Sequence, residues 1–513
     1  MVFEFTDAST IISYGRLSVT IGCIIIVLCI VYAVKTIRHI VSLPPGPWGY
    51  PVVGVLPLLG DNPNRYFQQM SKKFGHVCSM MIGSRLVVIV SGTTALKEFL
   101  LKNGDNFAAR PDTVVQAVAE SHGIIWTEGD MWKEQRRFSL TALRNFGMGK
   151  LRAEEVTHHE LQILTSGLEQ LDGQSVDLKK YILASVGNVV GTILFGRRFE
   201  NTEPIYAMLN DTADVQVEMF FNETMFTYFP ALRDSLFTRS FLRSHKKRLD
   251  DMFERENAMR TIMKSFINES LTQLDVDNPK GFLDAYLIKR RALEDEGNQT
   301  PFSNDDQLAQ LMVELFDAGH DTTAMTIMTG ILYLARNTDV QRNMQIEIDD
   351  IVGGSRMPSS ADRTRLVYTD AAIMEIQRLS CLFLPNTLPY RSIRSVNICG
   401  FEIPKDAWVY PNWFATMRGS EHWENSLSFE PKRFIDQDGK IRQLDAFLPF
   451  GLGRRECLGK TLAKVELFLF FTSLLQQFTF TAPPGEDLPS PESSICSNLM
   501  RPPLFNVLIT KRH

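Results

Sequence analysis

The chain has 513 residues, of which 44% are hydrophobic and 22% charged, with a formal net charge of -5. This is ordinary globular composition with enough apolar material for a large core, and at roughly 150 residues per domain the length alone predicts about three domains. No strongly basic arm is present, and the seven cysteines are scattered and odd in number. Nucleic-acid binding, a disulfide framework and a four-ligand zinc site are therefore not expected.

The N-terminal region predicts a membrane anchor. After a short segment, residues 1–16, the run 17–34 carries no charge and is nearly long enough to span a hydrocarbon core. Lys35 and Arg38 follow the run, so the positive-inside rule places the remaining chain in the cytosol. A cleaved signal peptide has a shorter apolar region, and the other alternative is a buried core helix.

The rest of the chain reads as a neck and one body. Residues 35–54 are basic and proline-rich, which predicts a stiff connection, and no linker divides residues 55–513. Two short strands are predicted to meet at Gly83-Ser84, and helical periodicity then dominates to about residue 350. The prediction is a single large domain, mainly α with minor β structure (α+β).

An aromatic stretch, residues 217–237, interrupts this pattern. It is consistent with contact with a membrane surface, with the roof of a lipophilic pocket, or with an ordinary core helix and loop.

Three helical segments carry polar residues at informative spacings. Trp132 and Arg136 in "MWKEQRR" share one helix face, and Glu375 and Arg378 in "EIQR" are an i, i+3 pair. The long apolar helix from about 305 to 336 contains "LFDAGHDTTAM", where a glycine inside a helix costs about 1 kcal/mol against alanine. An acid followed by two hydroxyls in such a helix needs partners, and a helix kink with back-bonding hydroxyls is the alternative.

The segment "LPFGLGRRECLGKTLAKVELFLFF" places Cys457 at the start of an apolar helix. Arg454, Arg455 and Lys460 surround it with positive charge, which together with the helix dipole predicts a lowered thiol pKa. Nearby glycines allow close backbone approach, and Phe450 can shield the sulfur. Such a thiolate is either a nucleophile or a metal ligand, and these residues alone leave both open.

Within this segment, "FGLGRRECLG" resembles the F-x-x-G-x-R-x-C-x-G haem-binding loop of the cytochrome P450 family. A chance match in a chain of this length is on the order of one in ten thousand. The resemblance extends over nearly the whole chain: "LFDAGHDTTAM" is similar to the family's A-G-x-D-T-T element, and "MWKEQRR" to its W-x-x-x-R helix. It implies a cytochrome P450-like fold in which these segments meet at one haem, so the three-domain expectation is set aside.

The resemblance implies haem b as the cofactor, with Cys457 as the axial ligand of the iron and Phe450 shielding the sulfur. Trp132, Arg136 and Arg455 are expected to bind haem propionates, and either Tyr390 or Arg391 adds a third contact. Asp321 and Thr322 are expected to deliver protons for oxygen activation. Glu375, Arg378 and Arg433 are expected to form a structural cluster, although Lys432 replaces the usual acid before this arginine.

The implied function is a microsomal monooxygenase that inserts one oxygen atom from O₂ into a lipophilic steroid, fatty acid or foreign compound. Its expected partners are an NADPH-dependent flavoprotein reductase, cytochrome b5 and membrane lipid, at the endoplasmic reticulum with the catalytic domain in the cytosol. A basic patch is expected to dock the reductase, formed by Lys133, Arg137, Arg442, Lys460 and Lys464. The alternatives are a haem-thiolate isomerase or peroxide-rearranging enzyme, and a membrane-anchored haem sensor.

Overall fold

The computed structural model of this protein describes residues 43–47, 49–60, 62–146, 151–200, 202–203, 205, 226–233, 243–297, 301–383, 386–496 and 499–512. The predicted anchor, residues 17–34, lies outside the described residues, as do part of the neck and most of the aromatic stretch. Within the described ranges, no helix combines the length and the apolar character needed to cross a membrane.

Helices make up most of the described chain. They are α1 (Pro63–Phe74), α2 (Thr93–Lys97), α3 (Val114–Val118), α4 (Gly129–Phe146), α5 (Leu151–Glu169), α6 (Lys179–Phe195), α7 (Pro230–Arg233), α8 (Arg243–Gln273), α9 (Phe282–Asp295), α10 (Asp305–Arg336), α11 (Thr338–Ile351), α12 (Val367–Ser380), α13 (Trp413–Arg418) and α14 (Lys460–Gln477). A π-helical turn, Glu98–Lys102, continues α2. Short 3-10 turns occur at Leu56–Leu58, Pro301–Ser303, Ser360–Thr364, Pro431–Phe434, Gly453–Arg455 and Pro491–Ser493.

The strands are short, with two to six residues each. They are β1 (Val77–Ile82), β2 (Arg85–Val90), β3 (Ser175–Val176), β4 (Tyr390–Arg391), β5 (Val396–Ile398), β6 (Phe401–Ile403), β7 (Trp408–Pro411), β8 (Phe478–Thr481), β9 (Ile495–Cys496), β10 (Met500–Arg501) and β11 (Val507–Lys511). One sheet has the order β1-β2-β7-β4 and another β3-β11-β8, while β5 pairs with β6 and β9 with β10. The predicted β1–β2 hairpin is confirmed, with Ile82 opposite Arg85.

Helix α10 runs through the middle of the main core. It contacts α6, α8, α12 and α14, and 24 of its 32 residues are buried. Asn304 caps its start, since the Asn304 side chain accepts hydrogen bonds from the amides of Asp306 (2.8 Å) and Gln307 (3.2 Å). Gly330 allows close approach to α14, because a Cβ there would lie 2.3 Å from the ring of Phe471. The prediction of one long apolar helix over residues 305–336 is confirmed.

Candidate functional site

The predicted cofactor-binding and catalytic residues converge on one cavity of about 460 Å³. Its walls include Trp132, Arg136, Asp321, Thr322, Tyr390, Phe450, Arg455 and Cys457. These residues come from α4, α10, β4 and the loop before α14, which are distant in sequence. A single cavity shared by these elements explains why the described body is one domain although its length suggested three.

The loop that carries Cys457 is held by its backbone. The Cys457 amide donates to Phe450 O at 2.9 Å, and the sulfur accepts hydrogen bonds from the amides of Gly459 and Lys460. Gly453 has a φ of +79°, and a Cβ there would lie 2.3 Å from Leu100 O. The glycine is therefore needed both for its left-handed backbone and for the close approach to the turn after α2.

The sequence argument about the thiol pKa is corrected by the structure. Burial on the protein side raises the pKa of Cys457, and it outweighs the two amide hydrogen bonds and the charge of Arg136, which lower it. The other nearby cations are engaged elsewhere, because Arg454 pairs with Asp105 and Lys460 with Glu456. A cysteine that opens into a cavity becomes a thiolate when it coordinates a metal ion, so this setting suits a ligand better than a free nucleophile.

Three arginines surround the cavity without a carboxylate partner among the described residues. Arg455 donates to Ala108 O at 2.7 Å and lies over the ring of Trp132 at 4.0 Å. Arg136 donates to Glu456 O. Arg110 donates to the backbone oxygens of Ile125 (3.0 Å), Leu388 (3.0 Å) and Pro389 (2.7 Å), and lies over the ring of Tyr390 at 4.9 Å.

The electrostatics of this arginine cluster test whether haem fits. Burial, followed by the like charge of Arg110 and the smaller effect of Arg136, lowers the pKa of Arg455 to about 8. Burial also lowers the pKa of Arg110 and Arg136. An anionic ligand in the cavity would relieve this repulsion, and paired carboxylates suit the fork geometry of arginine. The residues present therefore fit haem, whose two propionates are such anions.

Sequence reasoning missed Arg110 and left Tyr390 and Arg391 undecided. Tyr390 lies in the cavity wall and is buried. Arg391 points elsewhere, where it pairs with Glu128 at 2.7 Å and Asp406 at 3.1 Å. Of the two, Tyr390 is the residue placed to contact a cavity ligand. No sequence motif marks Arg110, because an isolated arginine carries no signal of its own.

Helix α10 contributes Asp321 and Thr322 to the cavity wall. Thr322 is half-buried, and its hydroxyl donates to Ala318 O at 2.7 Å. Gly319 faces α6, where a Cβ would lie 3.1 Å from a methyl of Val190. Asp321 is buried, and both of its carboxylate oxygens accept from Arg501, at 2.9 and 2.7 Å. No pattern in the sequence indicated this ion pair.

Glu375, Arg378 and Arg433 form the expected cluster away from the cavity. Glu375 accepts from Arg378 at 2.6 and 2.9 Å and from Arg433 at 2.9 Å. Arg378 also donates to the backbone oxygens of Met417 and Ser426. The cluster thus ties α12 to the segment that precedes the cysteine loop.

The predicted basic patch is partly neutralised. Lys133 lies 2.8 Å from Asp130, and Lys460 lies 2.5 Å from Glu456. Burial lowers the pKa of Lys464, whereas Arg137 and Arg442 are exposed.

Comparison with known proteins agrees with this geometry. The cytochrome P450 family model matches residues 44–509. Cytochrome P450 2K1 of Oncorhynchus mykiss is 35% identical over 446 residues, which cover 86% of each chain. Cytochrome P450 2B4 of Oryctolagus cuniculus is 32% identical over 477 residues, covering 92% of this chain and 94% of the relative. Cytochrome P450 2J2 of Homo sapiens is 33% identical over 451 residues, covering 87% of each.

Proposed function

This chain belongs to the cytochrome P450 family, and on that premise we propose that it is a monooxygenase that inserts one oxygen atom from O₂ into a lipophilic small molecule. Members of the family bind haem through a cysteine thiolate, and Cys457 is the proposed ligand. The observation that carries the proposal is the cavity itself. It combines an accessible cysteine with three arginines, one buried and two half-buried, that form no ion pair with a carboxylate among the described residues.

Haem, when bound, supplies the redox chemistry that activates O₂, and the cysteine thiolate favours O–O cleavage. The protein supplies orientation and protons. Arg110, Arg136 and Arg455 would hold the propionates, and the adjacent Trp132 and Tyr390 rings keep two of these guanidinium groups in place.

Proton delivery falls to α10. Thr322 lines the cavity, and its hydroxyl holds one mobile proton at Oγ1, which donates to Ala318 O. Rotation about its side-chain bond would aim this proton at the cavity interior. The carboxylate of the preceding residue, Asp321, is the proposed relay group, which receives a proton from solvent and passes it on to replace the one that Thr322 gives up.

The proposed substrate is a steroid, fatty acid or foreign compound, because the remaining cavity wall is mostly apolar. Leu315 and Ala318 of α10 line it, as do Leu382, Phe383 and Leu388 after α12. Asn386 also reaches the wall, whereas His320 does not: it is buried against Leu183 O at 3.0 Å.

The proposed electron donor is an NADPH-dependent flavoprotein reductase, with cytochrome b5 as a second donor. Arg137 and Arg442 of the basic patch are exposed and form no ion pair with the described residues, which supports this docking. The proposed location is the endoplasmic reticulum membrane, with residues 17–34 as the anchor and the body in the cytosol.

The test measures product, peroxide and NADPH consumption in the reconstituted system, after a Soret titration has identified a substrate among sterols, fatty acids and aromatic compounds. We expect Thr322→Ala to lower the product formed per NADPH and to raise peroxide release. Thr329→Ala is the matched control, because Thr329 makes the same back-bond on α10 (2.8 Å to Met325 O) but does not line the cavity.

Unchanged coupling in Thr322→Ala would remove this residue from the mechanism. Turnover without NADPH would instead identify an isomerase or a peroxide-rearranging enzyme. Haem binding without any turnover would favour a sensor.

A further inference from the structure

The ion pair between Asp321 and Arg501 links the proposed proton-relay acid to the C-terminal part of the chain. The two side chains are 8% and 6% exposed, and the arginine engages both carboxylate oxygens, Oδ1 at 2.9 Å and Oδ2 at 2.7 Å. Such a two-pronged contact fixes the plane of the carboxylate as well as its position.

Orientation matters here because Asp321 and Thr322 are neighbours on a helix. Successive side chains on an α-helix point about 100° apart, so the acid does not face the hydroxyl by default. Its carboxylate has to be held at one particular angle for protons to pass towards the cavity. Neighbouring His320 supplies no competing charge, since burial lowers its pKa and its Nε2 meets Leu183 O.

Arg501 is itself placed by the cavity wall. It ends β10, and the preceding Met500 amide donates to Leu382 O at 2.7 Å. Leu499 forms a β-bridge with Phe383, and both of these residues line the cavity together with Leu382. The Arg501 side chain that binds Asp321 therefore belongs to a segment that lies next to the cavity wall, where a substrate would bind.

We propose that Arg501 is a positioning residue for the oxygenation reaction, and that it acts by fixing the carboxylate of Asp321 at the angle that proton delivery requires. The inference rests on the proposed monooxygenase function and adds a residue that belongs to neither the haem loop nor α10. Arg501 touches neither substrate nor haem in this role, because its effect passes through Asp321.

The test uses the full-length haem protein with Arg501→Lys, Asp321→Asn and the double variant that combines them. Lysine keeps the positive charge but cannot make the two-pronged contact. A group engaged in proton transfer contributes on the order of a hundredfold or more. Misorienting it is therefore expected to lower the product formed per NADPH by roughly tenfold in Arg501→Lys, with peroxide released instead.

Arg418→Lys is the matched control, because Arg418 is a buried arginine that pairs with Glu492 in the same C-terminal region but does not line the cavity. It is expected to lower the thermal midpoint by as much as Arg501→Lys without moving the ratio of product to peroxide. A purely structural role for Arg501 would predict the same behaviour for both variants.

The double variant decides whether Arg501 acts through Asp321. If it does, Arg501→Lys causes no further loss of coupling in the Asp321→Asn background, a non-additive result. Equal losses in both backgrounds, or wild-type coupling in Arg501→Lys with its Soret band intact, would overturn the inference. The charge-free pair Arg501→Met with Asp321→Asn avoids a lone buried charge, and it should couple no worse than Asp321→Asn alone. A wild-type chain that consumes no NADPH and forms no product contradicts the monooxygenase proposal itself, and the inference with it.

Discussion

The buried carboxylate of Glu375 offers a quantitative test of how the fold supports the cysteine loop. Its side chain is fully buried and accepts four hydrogen bonds: two from Arg378 (2.6 and 2.9 Å), one from Arg433 (2.9 Å) and one from the amide of Glu430 (3.0 Å). Replacement by glutamine keeps the size of the side chain, removes its charge and places an amide group among donors.

The expected loss follows from the burial of the partners. Arg378 is fully buried and Arg433 is 10% exposed, so the variant leaves Arg378 without its countercharge and Arg433 with only the half-exposed Glu430. Breaking a buried ion pair in this way costs about 3–5 kcal/mol. Glu430→Gln is the matched control, because Glu430 contacts the same Arg433 at 3.3 Å but is 48% exposed. A pair of that kind contributes about 0–1 kcal/mol.

The assay is urea unfolding of both variants, followed by the Soret band and by far-ultraviolet circular dichroism. Large chains often depart from two-state behaviour, so the comparison uses the difference between matched midpoints rather than an absolute free energy. We expect Glu375→Gln to unfold at a clearly lower urea concentration than Glu430→Gln, with the Soret band lost first. Equal midpoints for the two variants would refute the claim that this buried cluster braces the haem loop.

Two further substitutions test the cavity walls. Gly453→Ala should abolish haem incorporation, because its Cβ would lie 2.3 Å from Leu100 O. Gly439→Ala is the control and should retain haem, because Gly439 has a similar φ of +73° but no atom within 4 Å of the added Cβ. Equal haem incorporation in the two variants would contradict the steric argument. Burial raises the pKa of Glu466, which bonds Thr323, from 4.5 to about 8. The native chain therefore keeps a proton that the unfolded chain loses above about pH 4.5, and this group lowers stability as pH rises towards 8. Glu466→Gln removes this pH dependence of stability. The thermal midpoint of the variant, relative to that of the wild type, should therefore rise between pH 5 and pH 8. A difference in thermal midpoint that stays constant over this range would count against the raised pKa.

Much of the fold could be predicted because its signals are local. The apolar periodicity of residues 305–336 and the glycine-serine turn at 83–84 depend on neighbours in sequence, and both match the structure. The segments expected to meet at haem do share one cavity, because the resemblance supplied the long-range arrangement that periodicity cannot give.

The contacts that sequence reasoning missed depend on residues far apart in the chain. Arg501 is 180 residues from Asp321, and Arg110 reaches Pro389 across 279 positions. Each is one arginine among many, with no local pattern to distinguish it. The prediction of a lowered thiol pKa for Cys457 was wrong for a related reason. The sequence shows which cations are near the cysteine, but only the structure shows that Arg454 and Lys460 form ion pairs with other residues and that burial is the largest effect on the thiol pKa.

The same arginines connect cofactor binding to the stability of the fold. Arg110 and Arg455 donate to backbone oxygens of the loop around residues 108–127, Arg110 also donates to the segment that enters β4, and Arg136 donates to Glu456 O in the cysteine loop. Displacing these side chains would therefore break hydrogen bonds that hold the cavity walls. Their burial and mutual repulsion oppose folding of the protein part alone, as the lowered pKa of Arg455 indicates. A dianionic ligand bound among them removes that repulsion, and any ligand that binds only the folded chain adds to its stability. The hydrogen bonds that shape the cavity and the charges proposed to bind the propionates therefore belong to the same three side chains, and we expect closure of this cavity and haem binding to be coupled.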